Sequence, residues 1–252
     1  MSLLRVDTLS KHFGGVRAID EVSFVINPGT IHSIIGPNGA GKTTLLNLLT
    51  GVYRPSSGSI LFQDRPVGGL PAHVLAGRGV ARTFQNLQVF ANMTALENVM
   101  VGRHRHLDGR LLPSLLRWPG LVRAERACRA RCAELLEFVG CGAYLHAEAA
   151  AMPYGALKRL EIARALAAEP VLLLLDEPAA GLNAAETAEI DEVIRRIAGN
   201  GITVALVEHD MKLVMGISDH VLVLDYGRKL AEGTPAEVSA HEGVISAYLG
   251  TA

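Results

Sequence analysis

A glycine-rich octet near the N-terminus constrains the fold more than any other feature of this chain. Residues 36–43 read GPNGAGKT, between the apolar run IHSII and the helix-like run KTTLLNLLTG. Glycines at such a junction permit positive φ angles and let backbone N–H groups approach a phosphate closely. The octet fits G-x-x-x-x-G-K-[ST], and a strand before it with a helix after it is the context of a P-loop. The sequence therefore predicts a strand, a phosphate-binding loop and a helix over residues 31–51.

The residues of this loop are the first candidates for a nucleotide site. Lys42 is expected to bind the β- and γ-phosphates, and Thr43 to ligate Mg²⁺. The positive end of the following helix adds a favourable field for an anion. The alternative is a glycine turn that only caps a helix. The predicted nucleotide-binding residues of the loop are Asn38, Gly39, Ala40, Gly41, Lys42, Thr43 and Thr44.

A second motif places carboxylates near the predicted loop. In VLLLLDEP, Asp176 ends an apolar run and Glu177 follows it directly. Because the carboxyl ends of parallel strands share one sheet edge, both residues are expected close to the P-loop. Asp176 is then suited to hold Mg²⁺, and Glu177 to polarise an attacking water. An Asp-Glu pair at a strand end is often just a turn, but together with the P-loop it indicates a hydrolytic site.

The order of apolar runs indicates an α/β fold. Residues 23–26, 31–35 and 59–62 read as short strands, and PVLLLLD, ITVALVEHD and HVLVLD read as strands that are covered on both faces. Between Gln85 and Tyr154 the sequence is rich in Ala, Arg and Leu and has no strong strand pattern. We therefore predict a mainly parallel core sheet flanked by helices, with a helical lobe inserted between Gln85 and Tyr154.

Composition excludes several classes of protein. Hydrophobic residues make up 49% of the 252, yet their longest unbroken runs are far shorter than the roughly 20 residues of a membrane span. The start MSLLRVDTLSKHF lacks the pattern of an export signal, which predicts a cytoplasmic chain. A net charge of −1 gives no reason to expect nucleic acid as a partner.

Two local features leave alternatives open. The window from Met100 to Cys132 holds eight arginines against Asp108 and Glu125, and is either a solvated helical face or a surface for a membrane or partner. The cysteines, at 128, 132 and 141, are too few and too irregularly spaced for a convincing metal site, so ordinary packing roles are expected.

Together these motifs resemble the nucleotide-binding subunits of ABC transporters over nearly the whole length. TFQNL resembles the Q-loop, MPYGALKRLEIARAL the signature segment, AAGLN the D-loop and LVEHD the switch-histidine motif. The resemblance implies ATP and Mg²⁺ as cofactors. It also implies that Gln85 contacts Mg²⁺ or the lytic water, that His209 contacts the γ-phosphate, and that Phe13 in KHFGG stacks on adenine.

The resemblance further implies an organisation and a second subunit. Residues 1–85 and 159–252 would form a RecA-like catalytic core with an N-terminal antiparallel β region, and 86–158 a helical subdomain, within one ABC ATPase domain of P-loop NTPase fold. Pro153, Tyr154 and Gly155 would bind the ATP held by a partner subunit. The segment departs from the common LSGGQ because its serine and glutamine are replaced by Pro153 and Ala156, and Asn183 replaces the usual D-loop aspartate.

The substrate is suggested by resemblance alone. The stretch VEHDMKLVMGISDHVLVLDYGRKLAEGTP and the ending VISAYLG are similar to the ATPases of branched-chain amino-acid importers. Urea or amide importers, lipopolysaccharide-export ATPases and non-transport ABC ATPases are the alternatives. The implied partners are two membrane permeases, a second ATPase subunit and, indirectly, a periplasmic binding protein, at the cytoplasmic face of the inner membrane. Apolar residues that cluster after Gln85 either pack in the core or accept a short permease helix: Leu87, Val89, Phe90, Met93 and Leu96.

Overall fold

The structure, a computed structural model, describes residues 2–106 and 119–249 and contains two sheets in that part. The strands are β1 Leu4–Phe13, β2 Val16–Ile26, β3 Ile31–Ile35, β4 Ser57–Phe62, β5 Arg65–Pro66, β6 Val80–Arg82, β7 Leu172–Asp176, β8 Thr203–Val207, β9 His220–Asp225 and β10 Arg228–Gly233. The α-helices are α1 Lys42–Leu49, α2 Ala72–Gly77, α3 Ala95–Gly102, α4 Pro119–Phe138, α5 Tyr154–Leu166, α6 Ala184–Gly199, α7 Met211–Ile217, α8 Pro235–Ser239 and α9 Glu242–Leu249.

The larger sheet has six strands in the order β10-β9-β3-β8-β7-β6, and all but β10 run parallel to their neighbours. Every residue of β3, β7 and β8 is buried, which explains their near-continuous apolar sequences. One strand, β8, separates the strand before the P-loop from the strand that ends at Asp176. The predicted meeting of the two motifs at one sheet edge is therefore confirmed.

The smaller sheet is antiparallel and lies in the N-terminal quarter of the chain, in the order β2-β1-β4-β5. Its residues Leu4, Val6, Leu9 and Ile60 are buried and pack with α1 in one core cluster. The predicted strand at 23–26 is the second half of the longer β2. This antiparallel region confirms the fold class that the family resemblance implied.

The helical segment packs against the main sheet in a continuous core. Val99 of α3, Cys132 of α4 and Leu160 of α5 belong to the same buried cluster as Leu173 and Val204 of the sheet. In the described part of residues 86–153 the structure has helices and one isolated bridge, between Thr94 and Glu148. The division at 85/86 and 158/159 stays a prediction, and α5 runs across its second boundary.

Several sequence-based expectations concern this helical segment. All three cysteines are buried, and burial raises the pKa of the Cys141 thiol to about 11.

Part of the arginine-rich window, residues 107–118, lies outside the described residues. Of the described arginines, Arg103, Arg129 and Arg131 pair with glutamates. None of the helices in 2–106 and 119–249 has both the length and the apolar character that crossing a membrane requires.

Candidate functional site

The loop between β3 and α1 has a backbone that glycine alone fits at two points. Gly36 has φ 155°, and a Cβ there would lie 2.2 Å from the carbonyl oxygen of Leu224. Gly41 has φ 101°, and a Cβ would lie 2.6 Å from the carbonyl oxygen of Ala18. Strands β9 and β2 thus pack directly against the loop, and the glycines are required for this packing as well as for the backbone conformation.

Lys42 begins α1 and lies between the loop and the carboxylates of β7. Its Nζ donates hydrogen bonds to the carbonyl oxygens of Gly36 at 2.6 Å and Pro37 at 3.1 Å, which closes the loop around the ammonium. Burial lowers the pKa of Lys42, while the nearby charges of Glu177 and Asp176 act in the opposite direction. The cation is therefore partly desolvated and close to two carboxylates, as an anion-binding lysine should be.

Asp176 forms a buried ion pair that the sequence patterns did not reveal. Arg82 of β6 donates to its Oδ2 at 2.8 Å, and the two side chains are 7% and 4% exposed. The same guanidinium donates to Oδ1 of Asn47 in α1 at 2.6 Å and to Oγ1 of Thr50, the C-cap of that helix, at 3.2 Å. Arg82 therefore ties the two halves of the site together through charge-assisted hydrogen bonds.

Glu177 has a conformation that its surroundings hold in place. Its φ is 49°, in the left-handed region that non-glycine residues seldom adopt. The Glu177 N–H donates to the carbonyl of Val207 at 2.9 Å, and the buried Lys158 ammonium donates to the carbonyl of Glu177 at 3.4 Å. Gln85 Nε2 donates to Glu177 Oε2 at 3.0 Å, so the side chain also has a fixed direction. Strain of this kind is common where a side chain must be aimed at a reacting group.

These groups surround a cleft of about 430 Å³. Its lining consists of Val16, Arg17, Ala18, Asn38, Gly39, Ala40, Gly41, Lys42, Thr43, Thr44, Gln85, Glu177 and Tyr226. The sequence-predicted loop residues, Gln85 and Glu177 are thus brought together. Asp176 is buried at the end of β7, while Phe13, His209 and residues 153–155 are not among the described residues that line the cleft.

His209 lies beyond the end of β8, with its side chain 63% exposed. The residue before it, Glu208, is buried and accepts backbone hydrogen bonds from Ala179 at 2.9 Å and His209 at 3.1 Å. Burial raises the pKa of Glu208, against the effect of these N–H donors. Glu208 thereby links the segment after Glu177 to the histidine, which places His209 at the same sheet edge as the cleft.

The signature segment forms the N-terminal end of α5. Pro153 is the N-cap, and no side chain among the described residues donates or accepts a capping bond there. Pro153 and Tyr154 are exposed, whereas Gly155 and Ala156 are buried. A Cβ on Gly155 would lie 2.6 Å from Glu186 Oε1, so Gly155 lies beneath the first turn of α6. Of residues 152–156, Pro153 and Tyr154 are therefore the two that face solvent.

Comparison with known proteins agrees with this geometry. Residues 19–180 match the family model described as ABC transporter. The chain belongs to the ABC transporter family. ABC ATP-binding proteins bind and hydrolyse ATP, and this chain is accordingly an ATPase. Its last residues, 228–252, match a second model, described as branched-chain amino acid ATP-binding cassette transporter.

Relatives of this ABC ATPase match it over nearly its full length. It is 46% identical to the high-affinity branched-chain amino acid transport ATP-binding protein LivG of Escherichia coli K12, covering 99% of this chain and 98% of LivG. It is 45% identical to the corresponding protein BraF of Pseudomonas aeruginosa, with the same coverage. A crystal structure of an ABC transporter cassette in its ADP conformation superimposes with a TM-score of 0.87 at 31% identity, covering both chains completely.

The structure also shows three buried charged residues near the site that the sequence patterns did not reveal. Arg82, Lys158 and Glu208 are buried at the site, yet each stands in an unremarkable local sequence. A charged residue inside an otherwise apolar run, such as Glu208 after ITVALV, was the one available signal. Asn183, noted as a departure from the D-loop aspartate, is the N-cap of α6 and accepts from the N–H groups of Ala185 and Glu186.

Proposed function

We propose that this chain is the ATP-binding and hydrolysing subunit of an importer for branched-chain or related amino acids. The observation that carries the proposal is the cleft in which the P-loop and Lys42 face the Gln85–Glu177 pair. The amino-acid specificity is supported by the likeness to LivG and BraF and by the match of residues 228–252.

The cleft fits ATP with Mg²⁺. Backbone N–H groups of residues 38–44 and the desolvated Lys42 ammonium suit the triphosphate. Thr43, Gln85 and Asp176 offer a hydroxyl, an amide oxygen and a carboxylate, the hard oxygen donors that Mg²⁺ prefers. When bound there, Mg²⁺ would supply positive charge that offsets the negative charge developing on the phosphates. A volume of about 430 Å³ lies in the range of small-molecule sites.

In the mechanism that we propose, Glu177 is the general base for hydrolysis. It accepts a proton from water as the water oxygen bonds to the γ-phosphorus and the bond to the ADP oxygen breaks. Gln85 holds the Glu177 carboxylate, and Lys158 and Val207 hold its backbone, so the base needs little reorganisation. His209 donates a hydrogen bond to the γ-phosphate.

The second half of the site comes from another ATPase subunit. Pro153 and Tyr154 expose the N-terminal end of α5, where free N–H groups suit an anion. We propose that this end, with Gly155 behind it, binds the γ-phosphate of ATP in the partner subunit, and that ATP binding closes the dimer. Hydrolysis then reopens it.

The membrane partners dock on the helical side of the Q-loop. A groove of about 450 Å³ lies there, lined among others by Phe84, Val89, Phe90 and Arg164. It suits a short amphipathic helix from a permease. We propose two permeases, a periplasmic binding protein that delivers substrate to them, and a peripheral location at the cytoplasmic face of the inner membrane.

Lys42→Ala tests the nucleotide site. Loss of one charge-assisted phosphate contact of about 1.5–3 kcal/mol should weaken Mg²⁺-ATP binding by roughly 10–100-fold in calorimetry. Lys229→Ala is the matched control, because Lys229 is exposed and pairs with Glu232 away from the cleft. Unchanged affinity in the Lys42 variant would reject the site.

Uptake measurements test the substrate. Proteoliposomes that contain the wild-type chain, the two permeases and the second ATPase subunit should accumulate leucine when ATP and the binding protein are supplied. Uptake should depend on Lys42. Accumulation of urea or an amide, with no uptake of leucine, would overturn the amino-acid assignment while leaving the ATPase intact.

A further inference from the structure

The turn between β9 and β10 has an exposed tyrosine in a strained conformation. Tyr226 and Gly227 form a two-residue hairpin turn with φ values of 44° and 79°. Turns with two positive φ angles favour Asn-Gly, because other side chains at the first position are strained. Tyr226 is nevertheless there, and it is 87% exposed, so no packing inside the described chain accounts for it.

The turn is fastened to the P-loop and to β2. Gly227 N–H donates to the carbonyl of Ala40 at 3.1 Å, and its carbonyl accepts from the N–H of Asp20 at 2.8 Å. Arg228 forms an ion pair with Asp20 at 2.6 Å. The backbone of the turn is therefore tied to the P-loop, even though the Tyr226 ring is exposed.

Sheet order places Tyr226 and Glu177 on opposite sides of the P-loop. The P-loop follows β3, Glu177 follows β7 two strands away, and Tyr226 follows β9 on the other side. Tyr226 lines the same cleft as the P-loop, beside Val16, Arg17 and Ala18. Because the γ-phosphate must face Glu177, the nucleoside of a bound ATP must extend toward this other side.

We propose that Tyr226 contacts the ribose and base of bound ATP, as an aromatic wall at the nucleoside end of the cleft. This inference rests on the proposed function of the cleft. Among the described lining residues Tyr226 is the one aromatic. The Phe13 ring, which the family resemblance assigns to adenine, packs edge-on against Tyr53 with centroids 5.2 Å apart. Strained backbone conformations of this kind cluster at ligand-binding sites.

Tyr226→Asn separates strain from binding. Asn suits this turn position, so the melting temperature without nucleotide should rise by about 2–4 °C. Loss of the ring should weaken Mg²⁺-ATP binding about five- to tenfold. Affinity for inorganic tripolyphosphate, which has no nucleoside, should stay within about twofold by the same titration. Tyr226→Phe, which keeps the ring, should retain most of the ATP affinity.

Gln63→Asn is the matched control. Gln63 is exposed at the β4–β5 turn, has φ 50°, and lies outside the lining of the cleft, so relief of strain there should not change ATP affinity. Unchanged ATP affinity in Tyr226→Asn would overturn the inference, and so would an equal loss for ATP and tripolyphosphate. A loss confined to ATP-dependent dimerisation would also overturn it, since Tyr226 would then contact a second copy. Wild-type protein that bound neither ligand would reject the proposed function itself.

Discussion

The α1 and α5 helices of this ABC ATPase both begin without a side-chain cap from any described residue, and their surroundings differ. Helix α1 begins after Gly41 and α5 after Pro153, and within the described part of the chain neither start has a side-chain cap. Four other helices are capped by a side chain, at Thr94, Asn183, Asp210 and Thr234, whereas α2, which begins after Pro71, also has no such cap among the residues described. Uncapped N–H groups are available to a ligand.

The charged residues lie around one of these two starts. Lys42, Asp176 and Glu177, with the amide of Gln85, gather near α1, and a buried ion pair and hydrogen bonds hold them there. At α5 the first turn presents a proline and a tyrosine, with two small residues buried behind them. In the function proposed above, α1 lies at this chain's own nucleotide site, and α5 contributes backbone N–H groups to the site of a partner subunit.

The largest effect is expected at α1, from Glu177→Gln. The amide cannot accept a proton, so ATP hydrolysis should fall by about 10²–10⁴-fold, while ATP binding persists and a dimer accumulates in gel filtration. Glu21→Gln is the control, because Glu21 is exposed and also has a positive φ, 53°. Unchanged hydrolysis in Glu177→Gln would reject Glu177 as the base and weaken the contrast between the two helices.

The next effect tests the ion pair that supports α1. Arg82→Met leaves the buried Asp176 carboxylate without its cation, which should cost about 3–5 kcal/mol in urea unfolding. Arg5→Met removes an exposed pair with Asp7, with side chains 56% and 39% exposed, and should cost less than about 1 kcal/mol. If both substitutions cost the same, Arg82 does not hold the site together.

A smaller effect is expected at the other helix. Pro153→Ser adds a hydroxyl to the start of α5, and one charge-assisted bond to phosphate of about 1.5 kcal/mol should tighten ATP-dependent dimerisation roughly tenfold. The measurement needs the Glu177→Gln background, in which ATP persists. Pro71→Ser is a close control: Pro71 is the N-cap of α2, with φ −69° and ψ 153°, against −60° and 152° at Pro153. If both substitutions strengthened ATP-dependent dimerisation equally, the start of α5 would have no specific role in binding the partner's ATP.

The smallest effect concerns the packing behind α5. Gly155→Ala forces Glu186 to move, which breaks its reciprocal capping bonds with Asn183, so the free energy of unfolding should fall by about 1 kcal/mol. Gly199→Ala is the control, since no described atom outside its immediate neighbours lies within 4 Å of a Cβ there. If Gly155→Ala left the free energy of unfolding unchanged in thermal unfolding, the backbone of the signature segment would not be packed tightly against α6.

Local patterns were sufficient for the elements that carry the chemistry. GPNGAGKT between two apolar runs identified β3, the P-loop and α1, and the four buried leucines of α1 follow the helical period. VLLLLDE identified β7 and its terminal carboxylates. In each case the signal lies within about ten residues, where backbone conformation and apolar periodicity are set by neighbours in the chain.

What the sequence by itself determined was therefore the strands, the glycine loop and the residue types at their ends. Tertiary structure alone decided which of them meet: Arg82 with Asp176 and Gln85 with Glu177, more than ninety positions apart, and the turn of Tyr226 with the P-loop. The physical reason is that these pairings depend on strand order. Because β6 lies beside β7 and β9 beside β3, side chains far apart in the chain meet at a single edge, and local periodicity does not specify that order.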